Sequence, residues 1–246
     1  MLKLRVVSAF ALFVAVVGCN SVESGDVETA EMTASIAVTA AADGTGADVF
    51  ASLANAALTF VDLDGEDKLT AAADDVTVDL AESNLLGVFA YRAGLDDVVA
   101  GDEVTVSLVR AEGKDSALSN VVVVPTPLTI ESPAAAASFS RANDDIVIDL
   151  GGPDDVDADA LEVRWSGDCI DTGSLEVPVT QKSITIARGT IEQLPQPEAG
   201  SDGTAVADEC ALTVTVARRI TGTIDGAWRG SITGVATDDR IFTTAL

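Results

Sequence analysis

The sequence predicts an all-β protein: two tandem antiparallel β-sandwich domains after a signal peptide and a short flexible stalk. Two observations lead to this prediction. Short segments with alternating apolar and polar residues recur about every 8–14 residues from Met32 onward, separated by turn-forming Asp, Gly and Asn. Beyond the first segment, no window has the i, i+3, i+4 apolar spacing of an amphipathic helix. The alanine-rich stretches at 40–42, 71–73 and 134–137 are therefore predicted to be loops or strand ends.

The chain opens with MLKLRVVSAFALFVAVVGCNS, which has the layout of a signal peptide: Lys3 and Arg5, then an apolar run over residues 6–17. As a helix this run spans about 18 Å, too short for about 30 Å of bilayer hydrocarbon. Its end, VVGC, resembles a bacterial lipobox, which implies cleavage after residue 18 and acylation of Cys19. Residues 1–18 are predicted as lipoprotein signal peptide and Cys19 as the lipid attachment. The alternative is an ordinary secretory signal with an incidental cysteine.

The lipobox resemblance also implies a location. A lipoprotein cysteine of this type carries three acyl chains, palmitate among them, and two or more chains anchor a protein stably. Asn20, rather than Asp, follows the cysteine, which resembles the outer-membrane sorting class of enterobacterial lipoproteins. We therefore expect a protein of the outer membrane, held there by its lipid alone. The face of that membrane, periplasmic or surface, is left open.

Charge excludes several classes of partner. The chain has 40 acidic and 14 basic residues, no histidine and a formal net charge of −26. Loss of residues 1–18 removes Lys3 and Arg5 and no acid, so the mature chain has 12 bases and a charge near −28. Such a surface repels nucleic acid and anionic lipid head groups. The lack of histidine excludes any mechanism that uses an imidazole as a base or metal ligand.

The first half of the mature chain divides into a stalk and a domain. Residues 19–31 are polar, acidic and without a period, and we predict a lipidated N-terminus followed by a flexible stalk. Residues 32–125 are predicted as the first β-sandwich. Its expected strands are marked by Ile36 and Val38, Leu58 and Phe60, Val76, Val78 and Leu80, Phe89 and Tyr91, Val104, Val106 and Leu108, and residues 121–124.

A short proline linker, Pro125-Thr126-Pro127, is expected to separate the halves, because proline lacks the donor that a central strand needs. Residues 126–246 are predicted as the second β-sandwich, with Trp165 in its core. A single larger sandwich or barrel is the alternative. Residues 189–209 are predicted as a long exposed loop. The expected strands are residues 128–131, 146–150, 161–166, 174–177, 183–187, 210–217, 221–224, 232–236 and 241–243.

With Cys19 acylated, Cys169 and Cys210 remain, and an oxidising compartment allows only this pairing. Closing a loop of about 42 residues stabilises a fold by about 4 kcal/mol in the chain-entropy model. We predict a disulfide in the second domain, with two buried free thiols as the alternative. Two sulfurs without a histidine fall short of a zinc site.

Longer motifs extend the resemblance over most of the mature chain. The segments WSGDCIDTG, SITIARGTI, ECALTVTVARRITGTID and GSITG, with ALTFVDLDGEDKLTA in the first half, resemble uncharacterised proteobacterial lipoproteins. These carry immunoglobulin- or fibronectin-III-like modules after a lipobox. The resemblance implies immunoglobulin-like sandwiches and a lipid anchor. It implies no activity, cofactor or functional residue.

Acidic clusters raise the question of calcium. An EF-hand-type loop needs Gly at its sixth position and Glu at its twelfth. In DLDGED, counted from Asp62, Gly65 is fourth and Ala73 is twelfth. We therefore favour a hairpin turn at Asp64-Gly65. In PDDVDAD the twelfth position from Asp155 is Ser166, so a solvated acidic loop is favoured there. No metal site and no cofactor are predicted.

Catalytic patterns are missing from the sequence as well. It contains no Gly-x-Ser-x-Gly, Walker or dinucleotide-binding motif. A Ser–Lys dyad would need Lys68, Lys114 or Lys182, each in a polar, turn-like context. Trp228 is expected to seal one end of the second sandwich, with stacking on a sugar or a partner from a loop as the alternative.

The predicted function is therefore a non-catalytic binding or adhesion module whose protein or glycan partner is unknown. The alternatives are a structural spacer of the envelope and a hydrolase with a carboxylate pair.

Overall fold

A computed structural model describes residues 21–55, 59–85, 88–111, 113–153, 158–194 and 209–245. Strands dominate these residues, and their only helical elements are two 3-10 turns, Ser24–Asp26 and Thr29–Glu31. The predicted all-β class is confirmed. The predicted signal peptide and Cys19 lie outside the described residues.

The described residues of the first half of the chain form ten strands, and most of the alternating segments predicted from the sequence fall within them. They are β1 (Ser21–Glu23), β2 (Met32–Ala40), β3 (Ala47–Asn55), β4 (Phe60–Asp62), β5 (Lys68–Ala73), β6 (Val76–Asp79), β7 (Ala81–Leu85), β8 (Val88–Leu95), β9 (Glu103–Val109) and β10 (Ala117–Val123).

The second half contributes eight strands within its described ranges. They are β11 (Thr129–Ser132), β12 (Ser138–Ser140), β13 (Ile146–Gly151), β14 (Ala160–Gly167), β15 (Ile170–Val177), β16 (Ser183–Ile186), β17 (Cys210–Thr221) and β18 (Arg229–Ala245). The two strands predicted at 232–236 and 241–243 are thus one long strand, because no turn residue interrupts the pairing of β18 with β17.

One sheet runs through both halves of the molecule, in the order β1-β4-β3-β2-β18-β17-β14-β15, with β8 also on β3 and β7 on β8. Two smaller sheets cover one face of it. The sheet β10-β9-β5-β6 packs on the first half and β11-β13-β16 on the second. The arrangement is two β-sandwiches that share a sheet.

Alternation along the strands explains the two cores. In β9, Val104, Val106 and Leu108 are fully buried against residues such as Ile36 and Leu53 of the shared sheet. In the second core, β17 contributes Leu212, Val214 and Val216, which meet Ile148 and Ile184 of the opposite sheet. The period of two therefore places each strand's apolar side chains on one face.

Trp165 lies in the second core, as predicted, with 7% of its surface exposed.

The predicted domain boundary at residues 125 and 126 does not hold for the last strand. The first seven residues of β18 pair in parallel with β2, from Arg229 opposite Thr33 to Val235 opposite Thr39. Ile220 and Ile232 belong to the first core, although both come from the second half of the sequence. Without β18, strand β2 would be an unpaired edge over an open core, which explains why the C-terminal hairpin extends into the first sandwich.

The tip of the β17–β18 hairpin is fixed to β10 by a buried polar network. Asn120 is fully buried, and its Oδ1 accepts hydrogen bonds from Trp228 Nε1 at 2.7 Å and from the backbone N–H of Asp225 at 2.9 Å. Val121 and Thr223 form a two-hydrogen-bond bridge beside it. The prediction for Trp228 is thus wrong in one respect: the ring seals the first sandwich, because the hairpin carries it there.

The predicted flexible stalk is wrong for residues 21–31, which pack on the first sandwich. Strand β1 pairs with β4, and the two 3-10 turns come directly after it. Lys114 Nζ donates to the carbonyl oxygen of Gly25 at 2.6 Å. Sequence composition suggested mobility, but the segment's carbonyl groups are held by cations distant in the chain.

The main cation is Arg110, whose side chain is fully buried. Its Nε lies 2.7 Å from Asp67 Oδ2, and that carboxylate side chain is 3% exposed. Its Nη2 donates to the carbonyl oxygens of Ser24 and Val27, and its Nη1 donates to Thr29 Oγ1. We call this group the Arg110 cluster. The buried charge is paired and its donors are used, which is the condition for tolerating an ion pair in a core.

The acidic turn at residues 62–67 is not the predicted hairpin. Strand β4 belongs to the shared sheet and β5 to the covering sheet, so the turn crosses between layers. Gly65 adopts a φ of 62°, as a tight turn requires. Asp64 Oδ1 accepts hydrogen bonds from Ser24 Oγ and the backbone N–H of Gly25, which lower the pKa of Asp64.

Candidate functional site

The shared sheet has one face on the two cores and one face turned outward. We call the outward side, over β8, β3, β2, β18, β17, β14 and β15, the outer face. Its side chains are mostly small and polar, since the alternating positions of β2 and β17 are occupied by residues such as Thr33, Ser35, Thr213 and Thr215. In the described part of the molecule no other sheet covers it.

A groove of about 520 Å³ lies on the outer face of the first sandwich, where β2, β3 and β8 run side by side. This volume is within the range of about 300–1,000 Å³ that is typical of small-molecule sites. We call it the Phe50 groove. It is lined by Thr39, Asp48, Val49, Phe50, Arg92, Ala93 and Gly94.

Strand register brings the groove's polar and aromatic groups together. One row across the strands contains Thr39, Asp48 and Gly94. The next row pairs Phe50 with Arg92, and the Arg92 Cζ lies 5.1 Å from the centre of the Phe50 ring. That distance is within the range of a cation–π contact. The aromatic ring therefore holds the guanidinium over the groove.

Glycine at position 94 keeps the groove open. A Cβ there would have only Asp48 Oδ1 within 4 Å, at 3.9 Å. A larger side chain at position 94 would therefore fit the backbone and occupy the space beside Asp48.

The outer face is close to neutral on a strongly acidic molecule. Exposed or half-exposed arginines and carboxylates are present on its strands in equal numbers among the described residues. They are Arg92, Arg164, Arg219 and Arg229, with Asp48, Glu162, Glu176 and Asp239. Arg164 and Arg219 both contact Glu162, at 2.8 and 3.2 Å. The face thus lacks the excess of negative charge that the composition predicts for the surface as a whole.

The hydrolase alternative needs a suitably spaced pair of carboxyl groups, and Asp62 and Glu82 lie close together. Burial, followed by the charge of Asp62 and a hydrogen bond to it, raises the pKa of Glu82. Nearby, Tyr91 Oη donates to the carbonyl oxygen of Val61 and accepts from the N–H of Leu63, and burial raises the pKa of Tyr91 to about 12. Glycosidases hold their two carboxyls about 5–10 Å apart around the bond that is cleaved. A directly hydrogen-bonded pair leaves no room for a substrate between its members.

The predicted disulfide between Cys169 and Cys210 is present, with the two Cα atoms 5.9 Å apart. It links the turn after β14 to the start of β17. Of the predicted exposed loop at 189–209, Ile191 is instead buried in the second core. Residues 195–208 lie outside the described part.

The acidic motifs have structural roles where they are described. Asp159 Oδ2 accepts from the N–H of Thr221, and Asp43 Oδ1 accepts from the N–H of Thr45 in the turn between β2 and β3. Residues 154–157 lie outside the described part. Within the described ranges, no three carboxylate or thiol groups are placed to hold a metal ion.

The three lysines considered for a Ser–Lys dyad contact oxygen acceptors. Lys68 pairs with Asp79 at 3.1 Å. Lys114 binds the Gly25 carbonyl, and Lys182 binds the Gly152 carbonyl.

Sequence reasoning missed the Phe50 groove. The residues that line it come from three strands. Alternation within each strand predicts only that these side chains point outward, not that they lie side by side. The available signal was Arg92, a long cation within the alternating strand FAYRAG.

Comparison with known proteins gives little further information. No family model and no curated protein matches the chain. Among solved structures, it is similar to the FN1–FN3 domains of chicken CNTN1, with 8% identity and a TM-score of 0.31, over 88% of this chain and 67% of that one. It is also similar to the Yersinia pseudotuberculosis adhesin InvE, with 11% identity and a TM-score of 0.20, over 85% of this chain and 58% of that one. Likenesses this weak bear on neither ligand nor partner.

In the described ranges, no helix has the length and hydropathy needed to span a membrane.

Proposed function

We propose that this protein is a lipid-anchored outer-membrane protein with a non-catalytic binding role, and that the Phe50 groove is its binding site. The observation that carries the proposal is the position of the groove. It opens on the outer face of the shared sheet, which no other described sheet covers, so the fold presents it to the surroundings in a fixed orientation.

The anchor part of the proposal is supported by the N-terminal sequence, and the fold of residues 21–31 sets the length of the linker that would follow it. Cys19 precedes Ser21, the first residue of β1, by only two positions. Residues 21–31 are held by the Arg110 cluster, so a lipid on Cys19 would connect to a folded domain through almost no linker. The first sandwich would therefore stay close to the membrane surface.

A structural spacer is the second candidate, and one observation favours it. Strand β18 has 17 residues, about 56 Å of extended chain at 3.3 Å per residue, and belongs to both sandwiches. Such a strand fixes the distance between the ends of the molecule. A spacer role would depend on this strand and would not require the Phe50 groove.

Binding to envelopes separates the two candidates. The full chain with Cys19→Ser, purified without its lipid, would be titrated onto envelopes from cells that lack the protein. Binding that saturates, and that Arg92→Ala weakens while Arg164→Ala does not, supports a binding role. Arg164→Ala is the matched control because it removes the same charge from the same face. No saturable binding, or equal binding by both variants, would leave the spacer as the better description.

The anchor is tested separately by labelling with radioactive palmitate and by fractionation. We expect label on the wild-type chain, none on Cys19→Ser, and release of that variant from the membrane fraction. A wild-type chain without label would contradict the anchor and the proposed location.

A further inference from the structure

The Phe50 groove combines three kinds of group within one small area. Phe50 supplies a half-buried aromatic ring, Arg92 supplies hydrogen-bond donors, and Asp48 supplies acceptors. In the described residues neither charged group has an ion pair. The Arg92 guanidinium is nevertheless held in place by the ring, so little side-chain freedom remains to be lost on binding.

The backbone of β3, which forms the floor of the groove, is already hydrogen-bonded on both sides. Strand β3 pairs with β2 on one side and with β8 on the other, in continuous registers that pass through Asp48 and Phe50. An extended peptide could not add to the sheet beside Asp48 and Phe50, because β3 is paired on both sides there. Within the described residues the outer edge of β8 has no partner strand at 93–95, but that edge lies at the side of the groove. Recognition over Asp48 and Phe50 must therefore come from side chains.

The charges of the groove and of the whole chain restrict the class of ligand further. An anionic ligand would meet Asp48 in the groove and the formal charge of −26 on the whole chain. A cationic ligand would meet Arg92. A neutral ligand rich in hydroxyl groups avoids both conflicts, since its hydroxyls donate to a carboxylate and accept from a guanidinium, and the C–H face of a sugar ring packs on an aromatic ring.

From this geometry we infer that the Phe50 groove binds a neutral saccharide. Its C–H groups contact the part of the Phe50 ring that Arg92 leaves uncovered, and its hydroxyl groups bridge Asp48 and Arg92. The inference rests on the proposed function, because it names the ligand class of the same site.

The test uses the full chain with Cys19→Ser on a panel of immobilised neutral glycans: α- and β-glucans, mannans, galactans and chitin oligomers. Polygalacturonate and heparin represent acidic glycans. Glycans that retain the protein would then be titrated by calorimetry. We expect binding to at least one neutral glycan, weakened about tenfold or more by Asp48→Asn, by Arg92→Ala and by Gly94→Val, which fills the groove without changing charge.

Two controls guard against indirect effects. Arg164→Ala should bind within about twofold of the parent protein, as expected for a residue outside the site. Circular dichroism and the melting temperature check that each variant is folded, and Gly94→Val adds a β-branched residue that suits a strand.

The inference is overturned if no neutral glycan is retained at millimolar concentration, if only the acidic glycans are retained, or if the groove variants bind as the parent does. If saturable, Arg92-dependent binding to envelopes persists in any of these cases, the proposed function stands and only the ligand class is wrong.

Discussion

At the scale of single residues, the buried Arg110 joins the N-terminal segment to the first sandwich through an ion pair and several hydrogen bonds. We expect Arg110→Ala to lower the free energy of unfolding by about 3–5 kcal/mol, because it leaves the Asp67 carboxylate buried without a partner and releases the carbonyls of residues 24 and 27. Urea unfolding measures this. Arg164→Ala is the matched control. The ion pair of Arg164 with Glu162 is partly exposed, so we expect its loss to change the free energy of unfolding by less than about 1 kcal/mol.

A double variant shows whether the loss comes from the unpaired charge. Arg110→Met with Asp67→Leu removes both ions, and we expect it to cost less than Arg110→Ala alone. An equal or larger loss in the double variant would contradict this account.

Asp225 gives a prediction about acid. The N–H of Ala227 lowers the pKa of Asp225 below its ordinary value of 3.8, and the N–H groups of Ser119 and Leu118 act in the same direction. A carboxylate with a lowered pKa in the folded state contributes stability above its unfolded pKa, and that contribution is lost as pH falls through the folded value. We therefore expect Asp225→Asn to be less stable than wild type at neutral pH, with the difference shrinking as pH falls below 3.8.

Urea unfolding over a pH series measures that difference. Acid also reduces the charge repulsion within the whole acidic chain, but this affects wild type and variant nearly equally. It therefore cancels in the difference between their free energies of unfolding. Asp239→Asn, at an exposed carboxylate of β18, is the control. A wild-type advantage that stays constant with pH would refute the role of the Asp225 carboxylate.

At the scale of elements, the junction between β18 and β2 depends on Gly230. Its φ is 133°, and a Cβ there would clash with the backbone of Ala34. We expect Gly230→Ala to destabilise the fold by more than about 1 kcal/mol. Gly226→Ala is the control in the same hairpin, since no atom lies within 4 Å of its added Cβ. Similar melting temperatures for the two variants would show that the junction tolerates change.

Elements defined by local pattern were predictable, and those defined by distant pairing were not. The alternation in β9 and β17 gave both strands and their buried residues, and the count of cysteines gave the disulfide. The parallel pairing of β18 with β2 has no local signal, because its partners come from opposite ends of the chain. The same holds for Arg110, whose acceptors lie in a segment that composition alone suggests is mobile. The Phe50 groove requires a register between three strands, which alternation does not specify.

At the scale of the whole molecule, the shared strand predicts cooperative unfolding. Because β18 belongs to both sandwiches, we expect one calorimetric transition with equal calorimetric and van't Hoff enthalpies. A fragment of residues 20–125 should be unfolded by circular dichroism, since it lacks the hairpin that supplies Ile232 and Trp228 to the first core. Two separate transitions, or a folded fragment, would show that the sandwiches are independent.

Net charge gives a prediction about salt. With 40 acidic and 14 basic residues, the chain repels itself in the compact state, and added salt screens this repulsion. We expect the melting temperature to rise between low ionic strength and about 0.5 M sodium chloride. A flat or falling melting temperature would contradict the importance of self-repulsion.

The late position of β18 in the chain also affects how the protein is made. The ribosome completes β2 long before it begins Arg229, the first residue of the strand that pairs beside it. During most of synthesis the N-terminal sandwich therefore lacks a neighbour for one strand and the tryptophan that seals it. The first core therefore cannot be completed until β18 has been synthesised, and the nascent chain before that point has an open sheet edge at β2.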